Sequence, residues 1–302
     1  FWTPVAETST WGTLDAVAAA ADHIARIGGA RSIAIEESFL PADAYRALAG
    51  RFEQARFGEA QPLLERLRAR KTPRELDLLR EASERVVASM LAVFETVKPG
   101  ETKHDVVERL RQEEVRRGLT FEYCLIAAGA SHNRAASAQI LREGDILSLD
   151  SGANLDNYIG DLCRMGVLGE PDAELEDLLA EVDAIQMAAR AVMKPGCRGG
   201  DVFAAAEAAI ARSAYRDQVD FLAHGMGLVA HEAPQLTARG VVPYRGDHVD
   251  RPLEEGMVIS IETAILHPAR GFVKLEDTVA VTADGHEGFG DAGRGWNRAR
   301  PA

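Results

Sequence analysis

The sequence predicts an α/β fold built from two similar halves that face each other across a pseudo-two-fold cleft, with a small α/β unit ahead of them. Three observations carry this expectation. Helical and strand periodicities alternate along the 302 residues. Lys98-Pro99-Gly100, followed by Asp105-Val106, returns 96 residues later as Lys194-Pro195-Gly196, followed by Asp201-Val202. LREGDILSLDSGA (141–153) returns 112 residues later as LEEGMVISIETAI (253–265). The longer second spacing puts extra residues in the second half, and that interval holds AHGMGLVAHEAP. Two copies at so long a period exclude a solenoid.

The elements follow in chain order. Residues 1–70 read as the small unit. Apolar spacing over 14–26 predicts a helix that stops at Gly28-Gly29. RSIAIE (31–36) reads as a strand, and Pro41 opens a second helix to about Ala49. A further short strand and a helix near 62–70 complete it. So few elements leave a thin core, so this unit is expected to dock on something larger or to belong to a bigger domain. A second domain is expected over 71–302. Thr72-Pro73-Arg74-Glu75 is a capping box with Pro in the first turn, and the helix runs to about Val97. Another helix follows over 103–117, then strands at 123–128 and 146–149. Helices are expected again at 173–193 and 201–213, and strands at 257–265 and 272–282.

Composition removes several function classes. A net charge of −13 is unsuited to nucleic acid, whose phosphates need clustered Lys and Arg. No apolar run approaches the roughly 18 residues of a membrane span. The three cysteines (Cys124, Cys163, Cys197) form no CxxC pair. That argues against a zinc ribbon, a thioredoxin motif or a disulfide framework, and predicts a reducing cytoplasm. The chain opens on Phe1, and residues 1–20 show no basic stretch followed by an apolar core.

The repeat superimposes Asp150 on Glu262, each ending a strand-like run. A second acid follows each: Asp161 after the first, Glu276 after the second. Turn residues separate the members of each pair (Gly152-Ala153-Asn154 and Asp156-Asn157; Pro268 to Gly271), so each pair is expected on neighbouring strands with its acids on one side. Four converging carboxylates repel one another, and cations are the natural remedy. Any one acid alone would read as a solvated turn residue; matching acids in both halves do not follow from solvation. His224 and His231 stand in the lengthened interval beside Gly225 and Gly227, and His132 in a polar loop ahead of Asp150. A lone His is more often a hydrogen-bonded structural residue, so these three need a context.

That context is a resemblance. The stretches 150–164, 224–234, 256–263 and 275–282 resemble the pita-bread metallopeptidases: methionine aminopeptidase, aminopeptidase P, Xaa-Pro dipeptidase and the metal-free creatinase. The resemblance runs from about Lys71 to about Glu287, and residues 1–70 resemble the C-terminal portion of the extra N-terminal domain of the prolidase and creatinase branch. It implies the pita-bread fold and two divalent metal ions per chain, manganese foremost, with cobalt, zinc or iron as alternatives. The implied ligands are Asp150, Asp161, His224, Glu262 and Glu276. Glu262 would also accept a proton from the attacking water, His231 would stabilise the oxyanion, and His132 would act near the leaving nitrogen. The implied activity is hydrolysis of a short peptide, Xaa-Pro foremost, by a homodimer.

Three positions depart from the dipeptidase pattern. Thr263 stands where Pro follows the fourth ligand, Lys274 where Arg precedes the last by two, and the stretch ETAILHP lacks the usual Tyr. These are expected to touch the substrate rim and not the metal shell. They keep open hydrolysis of a non-peptide C–N bond in a small metabolite, such as ectoine or a related cyclic amidine. A non-catalytic binding module is the third alternative. Such modules typically lose metal ligands, and all five are chemically competent here.

Overall fold

The computed structural model describes residues 10–238 and 246–298. The chain divides into two compact units, Phe1–Leu67 and Arg68–Ala302. In the first, α1 (Thr13–Arg26) leads to β1 (Ser32–Ile35), α2 (Ala42–Arg51), β2 (Arg56–Glu59) and the start of α3 (Gln61–Ala69). Gly28 and Gly29, both at positive φ, stop α1. β1 and β2 pair in parallel, Ser32 opposite Arg56, with α2 as the crossover. The core is as thin as the sequence suggests: among the described residues, Ala21, Ile33, Ala44 and Leu48 are its buried apolar side chains.

The second unit opens on α4 (Pro73–Phe94). The Thr72 hydroxyl accepts from the Glu75 N–H, and the Glu75 carboxylate accepts from the Thr72 N–H. This reciprocal pair satisfies two donors that a helix start leaves open. Leu79, Val86, Met90 and Val93 form its buried stripe. α5 (Lys103–Arg116), α6 (Ala173–Ala191) and α7 (Gly199–Ile210) are the other helices among the described residues, and Arg216–Gln218 forms a short 3-10 turn.

The strands are β3 (Thr120–Ala128), β4 (Ile146–Leu155), β5 (Tyr158–Val167), β6 (Val219–Gly225), β7 (Val258–His267), β8 (Gly271–Val281) and β9 (His286–Phe289). They form one sheet in the order β3-β4-β5-β8-β7-β6, with β9 on β8. The order states the repeat. Each half contributes three antiparallel strands, and the halves meet where β5 pairs with β8 at Cys163 and Glu276. The helices repeat as well: α4 packs on β4 and β5, α6 on β7 and β8.

Sequence periodicity did not mark β5 or β6 as strands. β5 (YIGDLCRMGV) carries Gly160, Asp161, Arg164 and Gly166, yet nearly all of it is buried. Its glycines are the reason α4 can lie so close. A Cβ on Gly160 would stand 2.8 Å from the Ser83 nitrogen, and one on Gly166 2.3 Å from the Phe94 ring. The β4–β5 hairpin turns at Asp156 and Asn157, with φ of 50° and 72°. Asp and Asn tolerate that left-handed region better than other side chains.

Candidate metal centre

The sheet register gathers the acids that the repeat predicts. Glu262 on β7 lies directly opposite Glu276 on β8. Glu276 pairs across the seam with Cys163, and Cys163 pairs with Asp150 on β4. Asp161 is two residues before Cys163, on the same face of β5. His224 ends β6, opposite Ser260. Five side chains from five strands thus reach one place. Their donor atoms form two groups, Asp161–His224–Glu276 and Asp150–Glu262–Glu276, each within 4.8 Å. A cavity of about 410 Å³ opens over them, with Tyr123, Arg134, His231 and Lys274 in its wall.

The donors fit a divalent cation. Asp161 Oδ1 and His224 Nε2 are buried and make no hydrogen bond. His224 Nδ1 lies 3.2 Å from the Gly225 carbonyl. A carbonyl only accepts, so Nδ1 carries a proton, and Nε2 faces the acids, 3.2 Å from Glu262 Oε1. Four carboxylates and one imidazole suit manganese, iron, cobalt or zinc.

Electrostatics points the same way. Burial, and then the Asp150 charge, raise Asp161 to about 8. Burial and Asp161 hold Glu276 well above the usual carboxylate range. Glu262 moves the other way: burial would raise it, but the Lys274 ammonium and His224 outweigh that and lower it. A group of buried acids this close calls for positive charge.

Two of the three histidines join the centre. The rings of His231 and His224 stack, with centroids 3.8 Å apart and planes 13° apart. Burial and the neighbouring His224 depress His231 to about 4, so it is neutral near pH 7. Glu232 holds this segment. Its Oε1 accepts from Lys71 Nζ at 2.9 Å, and its Oε2 from the Leu228 and Val229 N–H groups. A Cβ on Gly227 would come within 2.3 Å of that carboxylate, so glycine is required there. His132 is not brought in: it is exposed, and its Nε2 lies 3.1 Å from the His267 carbonyl. The backbone of that loop is held by Lys103 Nζ, which donates to the Asn133 carbonyl at 2.7 Å. Arg134 is the loop side chain that reaches the acids, pairing with Asp150 and lying over the Phe272 ring.

Lys274 corrects the expectation that the departures touch only the substrate rim. Its ammonium stands among the acids, 2.6 Å from Asp150 Oδ2, 2.5 Å from Glu262 Oε2 and 2.8 Å from Glu276 Oε2. Lys274 and Glu276 are two apart on β8 and share a face. The spacing was visible in the sequence; that the stem would turn toward the acids was not. Tyr123 was also missed, because nothing in TFEYCLIAA sets it apart from a packing aromatic.

Residues 77–283 match the model of metallopeptidase family M24. The chain belongs to that family. Over 232 residues it is 32% identical to the probable dipeptidase PepE of Mycobacterium tuberculosis, covering 75% of this chain and 60% of that protein. Over 236 residues it is 29% identical to the Xaa-Pro dipeptidase of Pyrococcus furiosus, covering 76% of this chain and 65% of that one. The chain therefore spans about 60% of the length of the mycobacterial dipeptidase. The solved Xaa-Pro dipeptidase of Bacillus anthracis superimposes with a TM-score of 0.81 at 27% identity, over 91% of this chain and 76% of that one. The pita-bread fold of the M24 enzymes, expected from the sequence, is the fold found.

Proposed function

We propose that this M24 protein hydrolyses short peptides as a two-metal dipeptidase, with Xaa-Pro substrates foremost. The observation that carries the reading is the convergence of Asp150, Asp161, His224, Glu262 and Glu276 under one cavity, with two buried donor atoms lacking hydrogen bonds. The names of its dipeptidase relatives support the substrate class. Lewis-acid polarisation of the scissile carbonyl and activation of water are the chemistry that divalent cations supply when bound among these residues.

The chain's own residues supply the rest. Glu262 is the most accessible of the five, and its carboxylate is held ionised, so it can accept a proton at the cavity floor. His231 is neutral and lines the cavity, so its ring N–H can donate to oxygen charge that develops on the substrate. Tyr123, with a phenol that burial keeps protonated, stands in the same wall as a donor. The homodimer and a reducing cytoplasmic setting belong to the same proposal. The second fits three free cysteines and no helix long and apolar enough to cross a membrane, among the described residues.

The test is a dipeptide panel on protein loaded with Mn²⁺, Co²⁺ or Zn²⁺, run beside elemental analysis and a set of cyclic amidines. Cleavage of Xaa-Pro dipeptides is expected. A metal-loaded protein that cleaves no peptide would overturn the substrate class, and one that binds no metal would overturn the centre itself.

A further inference from the structure

We propose that Lys274 makes the two halves of this centre unequal, so that the Asp161–His224–Glu276 group takes the first divalent cation and the Asp150–Glu262–Glu276 group takes a second only by displacing the Lys274 ammonium. This rests on the reading of the cluster as a metal centre, and it concerns what one lysine does there.

The three acids that Lys274 touches are the three members of the second donor group. An ammonium has three N–H donors; here it donates to Asp150 and Glu262 and forms an ion pair with Glu276. The second group is therefore already hydrogen-bonded and charge-compensated from within the chain. Arg134 adds a second cation at Asp150. The first group differs: Asp161 Oδ1 makes no hydrogen bond, and His224 Nε2 has only the Glu262 carboxylate beside it, at 3.2 Å. A cation entering there meets two open donors and a Glu276 carboxylate.

A divalent ion entering the second group meets an ammonium within a few ångströms of the same oxygens. Like charges at such a distance in a buried setting repel strongly. Either the ion stays out, or the lysine stem swings toward the cavity that it lines. The side chain is 3% exposed, so the swing disrupts packing as well as ion pairs. The first cation meets the ammonium only through the shared Glu276, so these costs fall chiefly on the second. An arginine, planar and forked, could not place one compact charge among three carboxylates in this way.

The experiment uses the full chain and Mn²⁺ alone. Calorimetric titration and elemental analysis after desalting read stoichiometry, and the Mn²⁺ electron paramagnetic resonance spectrum separates isolated from coupled ions. The wild type is expected to take up one Mn²⁺ that survives desalting, with an isolated-ion spectrum, and a second at least tenfold more weakly. Lys274→Met and Lys274→Gln remove the charge but keep most of the stem. Either should tighten the second step at least tenfold, leave the first within about threefold, and give the coupled-pair spectrum after desalting. Circular dichroism identifies a variant that fails to fold, and the wild-type titration stands without it. Two equally tight ions in the wild type would overturn the proposal, as would folded neutral variants with an unchanged second step. A wild type that takes up no Mn²⁺ would fail differently, because it would remove the metal centre itself.

Discussion

Truncating one acid of the centre should be felt first in metal content. Asp161 is buried, has an oxygen without a hydrogen bond, and belongs only to the first donor group. Glu276 belongs to both. Asp161→Ala and Glu276→Ala are therefore expected to lose metal by elemental analysis, Glu276→Ala the more completely. Wild-type metal and activity in both would end the assignment. The histidines should separate by position. His231 lines the cavity and stacks on a ligand, so His231→Ala should keep its metal and lose roughly 10²-fold in kcat, the range for a lost donor to developing charge. His132 is exposed and bonded away from the acids, so His132→Ala should change kcat by less than about tenfold, well under that range. Metal content, melting temperature and kcat on the same preparations distinguish a chemical effect from a loss of fold.

Single elements carry their own predictions. α5 buries Glu114 against β4, where the Ser151 hydroxyl donates to its Oε1 at 2.9 Å and its Oε2 has no partner. Burial raises its pKa to about 8. The native state thus holds a proton there that the unfolded chain releases near 4.5. Stability from this group is present at low pH and falls as pH climbs from about 4.5 toward 8, because the folded form binds more protons across that window. Glu114→Gln should flatten this part of the melting-temperature profile, and an identical slope in the variant would show that Glu114 does not set it. The start of α4 and the histidine loop are joined by Lys71 and Glu232, whose side chains are each 1% exposed. Lys71→Met leaves the Glu232 carboxylate without its direct partner, with Arg68 3.9 Å away, and should cost up to about 3–5 kcal/mol in denaturant unfolding. Adding Glu232→Gln removes the stranded charge and should recover much of that loss. Equal stability of the single and double variants would contradict this account.

For the whole molecule, the prediction concerns assembly. Among the described residues, the first unit buries only four apolar side chains and leaves Trp11, Ile27, Phe39, Leu63 and Leu67 exposed, each by more than half. The proposed homodimer would cover apolar side chains of this unit. A homodimer is expected by light scattering at micromolar concentration, and a monomer there would count against it. The second unit shows no such shortage. Several apolar clusters flank its sheet, and a buried ionic group ties the strands to the helices behind them. Asp277, next to Glu276, sits in that group. Burial would raise its carboxyl, but the Arg164, Arg294 and Arg190 guanidinium groups outweigh it and hold it at about 2. It stays charged through any ordinary pH, which keeps β8 fixed where Glu276 and Lys274 leave it.

Repetition is what the sequence determined by itself. Matching anchors in two halves are a property of the chain alone, so they revealed the two-fold plan, the matched acids and the lengthened histidine interval. They misplaced Asp150 and Glu262 at strand ends: β4 and β7 run five residues beyond them, because pairing with neighbouring strands extends each past its apolar run. Caps and turns are equally local, which is why α4 and the β4–β5 turn lie close to where residue types put them. Only the tertiary structure decided what depends on neighbours distant in the chain. β5 is a strand because β4, β8 and α4 bury it, not because its residues favour one, and periodicity cannot register that. Whether Lys274 faces solvent, substrate or acids is fixed by the pairing of β8 with β5 and β7. The same holds for the loop before β4, where Arg134 and not His132 reaches Asp150. Side-chain direction at a site is set by packing between elements, and a linear pattern records which residues are present but not which of them meet.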